Sequence, residues 1–517
     1  MVNDIHDQTV QRKEKLSRLR QQGNPYPNDF RRDSCAKDVL EQCEMLSSEQ
    51  PETRGGEVKL AGRLISKRIM GKASFAHIQD ESGRIQLYAQ RDRLPDGQYN
   101  DSFKKLDIGD IIGVVGKPFI TKTGELTIEL SQFQLLVKSL HPLPEKYHGL
   151  TNVEIRYRQR YVDLLVSEAS REVFRKRTAT VRSLRKFLDD RGYIEIESPI
   201  MQAIPGGANA KPFVTHHNAL DRDLYLRVAQ ELYIKRCLVG GFERVYELNR
   251  NFRNEGLSTQ HNPEFTMLEY NEAYLDYIDY MDLTEEMLRM VAQNVNGTTK
   301  LEYEGHSIDL AQPFERLSMC EAILRYNPKL SSADLTDQNS LASILATHDL
   351  EVDSDLSVGK MLMLLFEETV EDHLIQPTYI TGYPEVVSPL SRRNDHDSSL
   401  TDRFELFVVG RELANGFSEL NDAEDQATRF ERQAAAKSSG DEEAMFFAYS
   451  LSCKWGQIAY FVGKELNLLK KVCSDRNKSK MYTFEILNEI IQLGGRFKSI
   501  EPRNMKIYEV DGLKDLR

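Results

Sequence analysis

Asn251-Phe-Arg-Asn-Glu-Gly-Leu-Ser-Thr-Gln-His-Asn-Pro-Glu-Phe-Thr-Met-Leu-Glu-Tyr270 is the stretch whose reading decides the fold. It sets an arginine, Arg253, two residues before a carboxylate, Glu255. A polar loop follows, then an apolar run carrying Phe265. Alternate residues of a strand point to one face. Arg253 and Glu255 are therefore expected to reach into one site, the first for a phosphate and the second for an amine or a ribose. Arginine suits phosphate because its planar fork binds oxygens bidentately and stays charged.

Working outward, the chain has 517 residues, 40% hydrophobic and 29% charged. That is ordinary globular usage, with length for about three domains. The net charge of −12 does not exclude a nucleic-acid partner, because a local basic surface is enough to hold a phosphate backbone. Basic clusters stand at Arg12, Lys13, Lys15, Arg18 and Arg20, and at Lys67, Arg68 and Lys72. The six cysteines form no Cys-x-x-Cys pair, so a zinc or redox motif is not expected. Scattered thiols suit a reducing cytoplasm. The opening residues are polar and no apolar run approaches a membrane span, so a cytoplasmic protein without membrane contact is expected.

Residues 3–22 read as a charged helix forming a surface arm, within an N-terminal region 1–56. Residues 57–140 alternate apolar and polar in short runs punctuated by Gly62, Gly83, Gly109 and Gly124. This predicts a small antiparallel barrel, for which an OB-fold is the natural candidate. A linker covers 141–165, and long helices mixed with strands begin at 166. Ser170–Asp190 reads as an amphipathic helix with Val173, Val181, Leu184 and Leu188 on its apolar side. A strand from Tyr193 to Pro199 is expected after it, and residues 315–375 read as a helical insertion.

Three further segments carry chemistry. Ile204-Pro-Gly-Gly-Ala-Asn-Ala-Lys-Pro212 is a loop whose adjacent glycines let a ligand approach the backbone. Glu231 opens a helical pattern, where a carboxylate also complements the helix dipole. Arg403-Phe-Glu-Leu-Phe-Val-Val-Gly-Arg-Glu-Leu-Ala-Asn-Gly-Phe-Ser-Glu419 places Glu405 and Glu412 on one strand–turn element. Two carboxylates are what magnesium takes when it also binds phosphates. Asn415, Phe417 and Glu419 alternate and are expected to face one way.

Together these segments resemble the class II lysyl-tRNA synthetases of bacterial type, over residues 3 to about 447. The opening stretch is similar to that class's motif 2, and the helix and strand before Pro199 to motif 1, which builds a homodimer interface. The resemblance implies an α/β (α+β) fold, an N-terminal OB-fold for the anticodon followed by a catalytic domain (166–447) on an antiparallel sheet. It implies adenylation of L-lysine by ATP and transfer to tRNA(Lys). Arg253, Glu255 and His261 would serve ATP and catalysis, with Phe265 stacked on adenine. Gly207, Glu231, Glu269, Asn415, Phe417 and Glu419 would hold lysine, and Glu405 and Glu412 would hold Mg2+. Arg68, Phe75, Gln86 and Glu125 would read the anticodon. Taken alone, Phe75 would read as a core aromatic.

The chain departs from the family pattern at three places. Gln230 stands where a proline is usual, and Asn271 where the pocket usually has a tyrosine. Residues 448–517 lack motif 3, a glycine-rich strand and helix whose arginine grips the γ-phosphate. The expectation is therefore a lysine–tRNA ligase lacking the usual last strand and helix. The alternative is a catalytically impaired relative that binds lysine or tRNA. An aspartyl or asparaginyl type is disfavoured, because its pocket would present a cation where this one has Glu231 and Glu419.

Overall fold

A computed structural model describes residues 2–42, 56–144 and 152–438, apart from Asn209, Leu257, Thr259, Gln260 and 351–355, together with Lys471, 497–500 and 507–510. The chain divides into two compact units, residues 1–175 and 176–517.

The first unit opens with α1 (Val2–Gln22) and α2 (Ala36–Gln42). The arm is more than a solvated helix. Arg12 is buried, and its guanidinium donates to the carbonyls of Ile108, Ser139 and His141 at 3.1, 3.3 and 3.2 Å. Lys15 pairs with Asp107 at 2.6 Å. Two cations of the N-terminal basic cluster are thus engaged inside the unit. Strands β1 (Val58–Met70), β2 (Ala73–Gln79), β3 (Arg84–Gln90), β4 (Ile111–Ile120) and β5 (Leu126–Val137) close into a barrel in the order β1-β2-β3-β5-β4. Period-two alternation sends Leu64, Ala76, Ile78, Ile85, Leu87, Val114 and Ile128 into its interior. At Gly116 the pairing slips, and a Cβ there would stand 2.2 Å from the Glu129 carbonyl, so only glycine lets β4 cross β5 this closely.

Short helices α3 (Val153–Arg158) and α4 (Arg160–Val166) precede α5 (Glu168–Asp189), which carries the chain into the second unit. Of the apolar positions expected along α5, Leu188 is buried and Leu184 packs beside it, but Val173 is 65% exposed. Gly192, at φ +77°, turns the chain into β6, which spans only Ile194–Glu195 rather than reaching Pro199. The ladder stops because the Glu247 carboxylate takes the Ser198 N–H (3.1 Å) and hydroxyl (2.6 Å).

Strands β7 (Met201–Gln202), β8 (Val214–His217) and β9 (Arg222–Leu226) form a small sheet before α6 (Glu231–Val239). Next come β10 (Arg244–Phe252) and β11 (Glu264–Glu272), paired antiparallel from Arg244↔Glu272 to Phe252↔Glu264, with β6 parallel on the other side of β10. One face of this sheet packs Tyr246, Leu268 and Tyr270 against α5 and α7 (Tyr277–Asn296). The opposite face carries Glu247, Asn251, Phe265, Met267, Glu269 and Asn271.

A two-stranded ribbon, β12 (Lys300–Tyr303) and β13 (His306–Asp309), leads to a four-stranded sheet. Its strands run β14 (Glu315–Ser318), β15 (Thr378–Pro384), β16 (Leu400–Val408), β17 (Arg411–Phe417); β14 and β15 are parallel and the rest antiparallel. Helices α8 (Met319–Tyr326), α9 (Gln338–Ala346) and α10 (Val358–Thr369), inserted between β14 and β15, share a core with Ile380 and Phe407. The other face buries Tyr379, Phe404 and Leu406 against Met281 of α7. After α11 (Ala423–Ser438), the described residues include only Lys471 and the paired strands β18 (Phe497–Ile500) and β19 (Ile507–Val510). The remainder of the segment expected to lack motif 3 lies outside the described residues.

Candidate active site and nucleic-acid face

β10 ends at Phe252, so Arg253 and Glu255 lie just beyond the strand rather than on it. The Arg253 N–H still donates to the Pro263 carbonyl at 2.9 Å, but Pro263 has no N–H to return the bond. The next N–H, of Asn254, is captured by the Lys211 carbonyl at 2.7 Å. The Arg253 guanidinium carbon lies 5.2 Å from the centroid of Phe265. Its Nε is buried with no partner, which leaves a directed donor for an anion. Burial lowers the Arg253 pKa, against the opposing pull of Glu255 and Glu412. Glu255 is exposed and its carboxylate accepts the Lys211 N–H at 3.3 Å. His261 is exposed on the connecting loop, its Nδ1 2.9 Å from the Ser258 hydroxyl.

Across from this corner lies the β16–β17 hairpin. Glu405 is buried, accepts the Tyr383 hydroxyl at 2.8 Å and pairs with Arg403. Glu412 is exposed at the surface, but loss of solvent on its cleft side, then the charge of Glu405, push its carboxyl up to about 7, with Arg403 and Arg253 opposing. Glu371 is likewise pushed up to about 7 by burial and by Glu367, Glu405 and Glu412. The acids repel one another across a site that has unused demand for positive charge.

The third part is an acidic pocket at the start of α6. Gly207 has φ +92°, and a Cβ on it would press at 3.2 Å on Cβ of both Ala229 and Glu231. The glycine loop therefore lies directly against the helix start. The Lys235 ammonium bonds the Glu231 carboxylate, one turn back on α6, and lies 2.8 Å from Glu419. It also stands 5.8 Å from the ring centroid of Phe417. Glu269 faces the same pocket, and burial, reinforced by Glu231, pushes its pKa well above the usual carboxylate range. Asn415 lies opposite Glu405 in the pairing, and its Oδ1 accepts from Arg403 at 3.2 Å. Gln230 is fully buried, accepts from Asn251 at 3.2 Å and donates to the Glu247 carbonyl at 3.4 Å, so it ties α6 to β10.

In the barrel unit, Arg68 pairs with Phe75, Phe75 with Tyr88, and Gln86 with His77 and Thr127. Pleating puts these residues on the outer face. Phe75 is half-buried there against Tyr88, centroids 5.0 Å apart, and is not part of the interior core. Glu125 receives Gln86 Nε2 at 2.6 Å and meets His77 Nε2 at 3.0 Å; His77 Nδ1 meets the Ser66 hydroxyl at 2.8 Å. Ser66, His77, Gln86 and Glu125 help line a recess of about 490 Å³. Pro199 lies beyond the end of β6, and its carbonyl accepts from Gln202 at 3.2 Å.

The sequence reading missed Lys235, Arg403, His77 and Tyr88. Lys235 was visible as an i,i+4 partner of Glu231. His77 and Tyr88 share the alternation of Phe75 and Gln86. Arg403 had one local signal, Glu405 two residues on along β16, while its other partners come from β15, β17 and the turn after β15.

Comparison with known proteins adds to this geometry. Residues 152–456 match the family model of class II tRNA synthetases (D, K and N), and residues 58–139 match the OB-fold nucleic acid binding domain. The lysine–tRNA ligase of Aeromonas hydrophila is 56% identical over 449 residues, covering 86% of this chain and 88% of that protein. The lysine–tRNA ligase of Idiomarina loihiensis is 55% identical over 444 residues, with the same coverage. The heat-inducible lysine–tRNA ligase of Escherichia coli K12 is 53% identical over 444 residues, again covering 86% and 88%.

Proposed function

We propose a function for a chain that belongs to the class II tRNA synthetases (D, K and N): ATP-dependent activation of L-lysine, followed by its transfer to tRNA(Lys). The observation that carries this reading is the acidic pocket, where Glu231 and Glu419 grip a lysine ammonium already in the structure. A half-buried carboxylate such as Glu419, 39% exposed, suits a lysine side chain and disfavours neutral ones, which would leave it unpaired. Gly207, Glu231 and Glu269 would surround the amino-acid end of the substrate. Asn415, Phe417 and Glu419 would take its side chain, and Asn271 would shape the wall beside Glu269.

For ATP, the unpartnered Arg253 Nε would meet a phosphate, Phe265 would stack on adenine, and His261 would reach the outer phosphates. Glu255 would hold its end of the nucleotide through the loop it already braces at Lys211. The lysine carboxylate attacks the α-phosphorus, so positioning and charge neutralisation carry the chemistry. Among the described residues no group of three or more His, Cys, Asp or Glu is arranged as a complete metal site. The two carboxylates of the hairpin, with Glu412 pushed up to about 7, nonetheless fit Mg2+, which takes its other ligands from phosphate and water. Glu405 and Glu412 would hold it, and the ion would offset phosphate charge there.

In the barrel, Phe75 and Arg68 would hold a splayed anticodon base, with Gln86 and Glu125 reading its edge. A homodimer through the region of Pro199 is supported by exposed apolar residues such as Ile194, 44% exposed. Among the described residues no helix is long and apolar enough to cross a membrane.

Lysine-dependent exchange of diphosphate into ATP by the purified chain tests the reading. Exchange is expected with lysine and not with leucine or aspartate. Lysine binding without exchange would instead favour the impaired relative, the reading that the missing motif 3 in the sequence of 448–517 supports.

A further inference from the structure

We propose that Lys235 is a positioning residue of the amino-acid pocket: its ammonium ties Glu231 on α6 to Glu419 beyond β17, and so sets the separation at which two carboxylates meet the two ammonium groups of the substrate. The inference rests on the lysine reading above.

The geometry is specific. Glu231 and Glu419 come from different elements, and the Lys235 ammonium is the bridge between them, bonded to the first and 2.8 Å from the second. Its side chain is only 20% exposed. The Phe417 ring, two residues before Glu419, flanks the same ammonium. Three acids face it: Glu231 from α6, Glu269 from β11 and Glu419. Glu247 on β10 is also near Glu269, but it is already paired with buried Arg227 at 2.7 Å. Lys235 is therefore the cation that offsets the pocket.

Charge explains why the bridge matters. Burial raises the Glu419 pKa, Lys235 lowers it and Glu231 raises it again. Burial alone would depress Lys235, but Glu231 and Glu419 outweigh it and hold its ammonium above the ordinary range. Without this cation, Glu231, Glu269 and Glu419 repel one another. Glu419 would either take up a proton or swing away, and an incoming lysine would meet a neutral or displaced acid. Because Lys235 contacts both ends of the pocket, its loss also frees their spacing, which separates lysine from the homologue one methylene shorter.

The test is calorimetric titration of the full chain with L-lysine and L-ornithine from pH 6.5 to 8.5, with thermal melting in parallel. It compares wild type with Lys235→Met and Lys235→Arg. The methionine variant is expected to bind lysine about tenfold more weakly at pH 7, with affinity recovering as pH rises and Glu419 ionises. Its lysine–ornithine preference should shrink toward parity. The arginine variant, which keeps the charge, should stay within about fivefold of wild type and show a flat pH profile. If the methionine variant does not fold, Lys235→Gln carries the same comparison. Unchanged or tighter lysine binding in the neutral variants overturns the proposal, because Lys235 would then be a mere occupant that the substrate displaces. If wild type binds no lysine, the pocket reading fails and the proposal falls with it. If wild type binds lysine and the variants match it, only the proposal falls.

Discussion

Glu412 and Asn415 project from one face of the β16–β17 hairpin although they are three residues apart. Phe407 pairs with Glu412 and Leu406 with Ala414, so Leu413 is left out of the pairing as a bulge. In a regular strand an odd separation puts two side chains on opposite faces. The extra residue restores the match, and the acid expected to meet the metal shares a face with Asn415 and Phe417, which are expected to meet lysine.

Deleting Leu413 should therefore leave the site intact, because Glu412 and Asn415 would then stand two residues apart in a regular strand and still share a face. Lysine affinity is expected to stay within about fivefold of wild type, since no later side chain changes face. Circular dichroism should stay native-like. Calorimetry showing a loss of about a hundredfold in the deletion variant would refute the shared-face argument.

Glu412 sets a pH dependence. Its carboxyl is pushed up to about 7, from an ordinary value of 4.5. In the unliganded protein its contribution to stability is complete below the ordinary value and is lost as pH rises through about 7. On the reading proposed above Mg-ATP would meet the ionised form and should bind more tightly over the same interval. A non-hydrolysable ATP analogue with magnesium is expected to bind about tenfold more tightly at pH 8 than at pH 6. Glu412→Gln should abolish that slope, and a slope that survives the substitution would assign it elsewhere.

Phe75→Ala should weaken binding of tRNA(Lys) by about 1–3 kcal/mol, the usual worth of one stacked base. Because Phe75 lies outside the barrel core, the melting temperature should change little and lysine affinity not at all. Filter binding with no change would remove Phe75 from the nucleic-acid face.

Glu419→Gln keeps the shape of the pocket and removes its charge. The expected loss is about 1.5–3 kcal/mol in lysine binding, the range for a hydrogen bond to a charged group. Leucine and glutamine should gain ground relative to lysine. A variant that still prefers lysine as strongly as wild type would show that Glu231 or Glu269 carries the selectivity.

Arg12→Ala should destabilise the first unit by about 2–3 kcal/mol. Three carbonyls would lose a charged donor in a largely buried position. Urea unfolding followed on isolated residues of that unit would measure it. A loss below about 0.5 kcal/mol would mean that water replaces the guanidinium without cost.

How much of this was legible in the sequence follows from how local each signal is. Alternation within single strands revealed the barrel, and the order of Arg253, Phe265, Glu405 and Glu412 pointed to the catalytic sheet. Features set by a distant partner were not legible. The strand expected to reach Pro199 stops at Glu195 because Glu247, from β10, takes the next donors. Arg253 leaves its strand because Lys211 claims the neighbouring amide. The Lys235–Glu419 contact joins residues far apart in the chain, and no periodicity reports such a pair. Arg12 has the composition of a surface arm, yet it is buried by carbonyls whose positions only the closed barrel defines.

The barrel wall consists of two interleaved messages. Ala76, Ile78, Ile85 and Leu87 specify closure from within; Phe75, His77, Gln86 and Tyr88, the residues between and beside them, specify what the outside meets. Since odd and even positions answer to different constraints, the outward set can be rewritten while the inward set keeps the fold. The strands are thus a scaffold whose outer chemistry can change, through single substitutions, at no cost to closure.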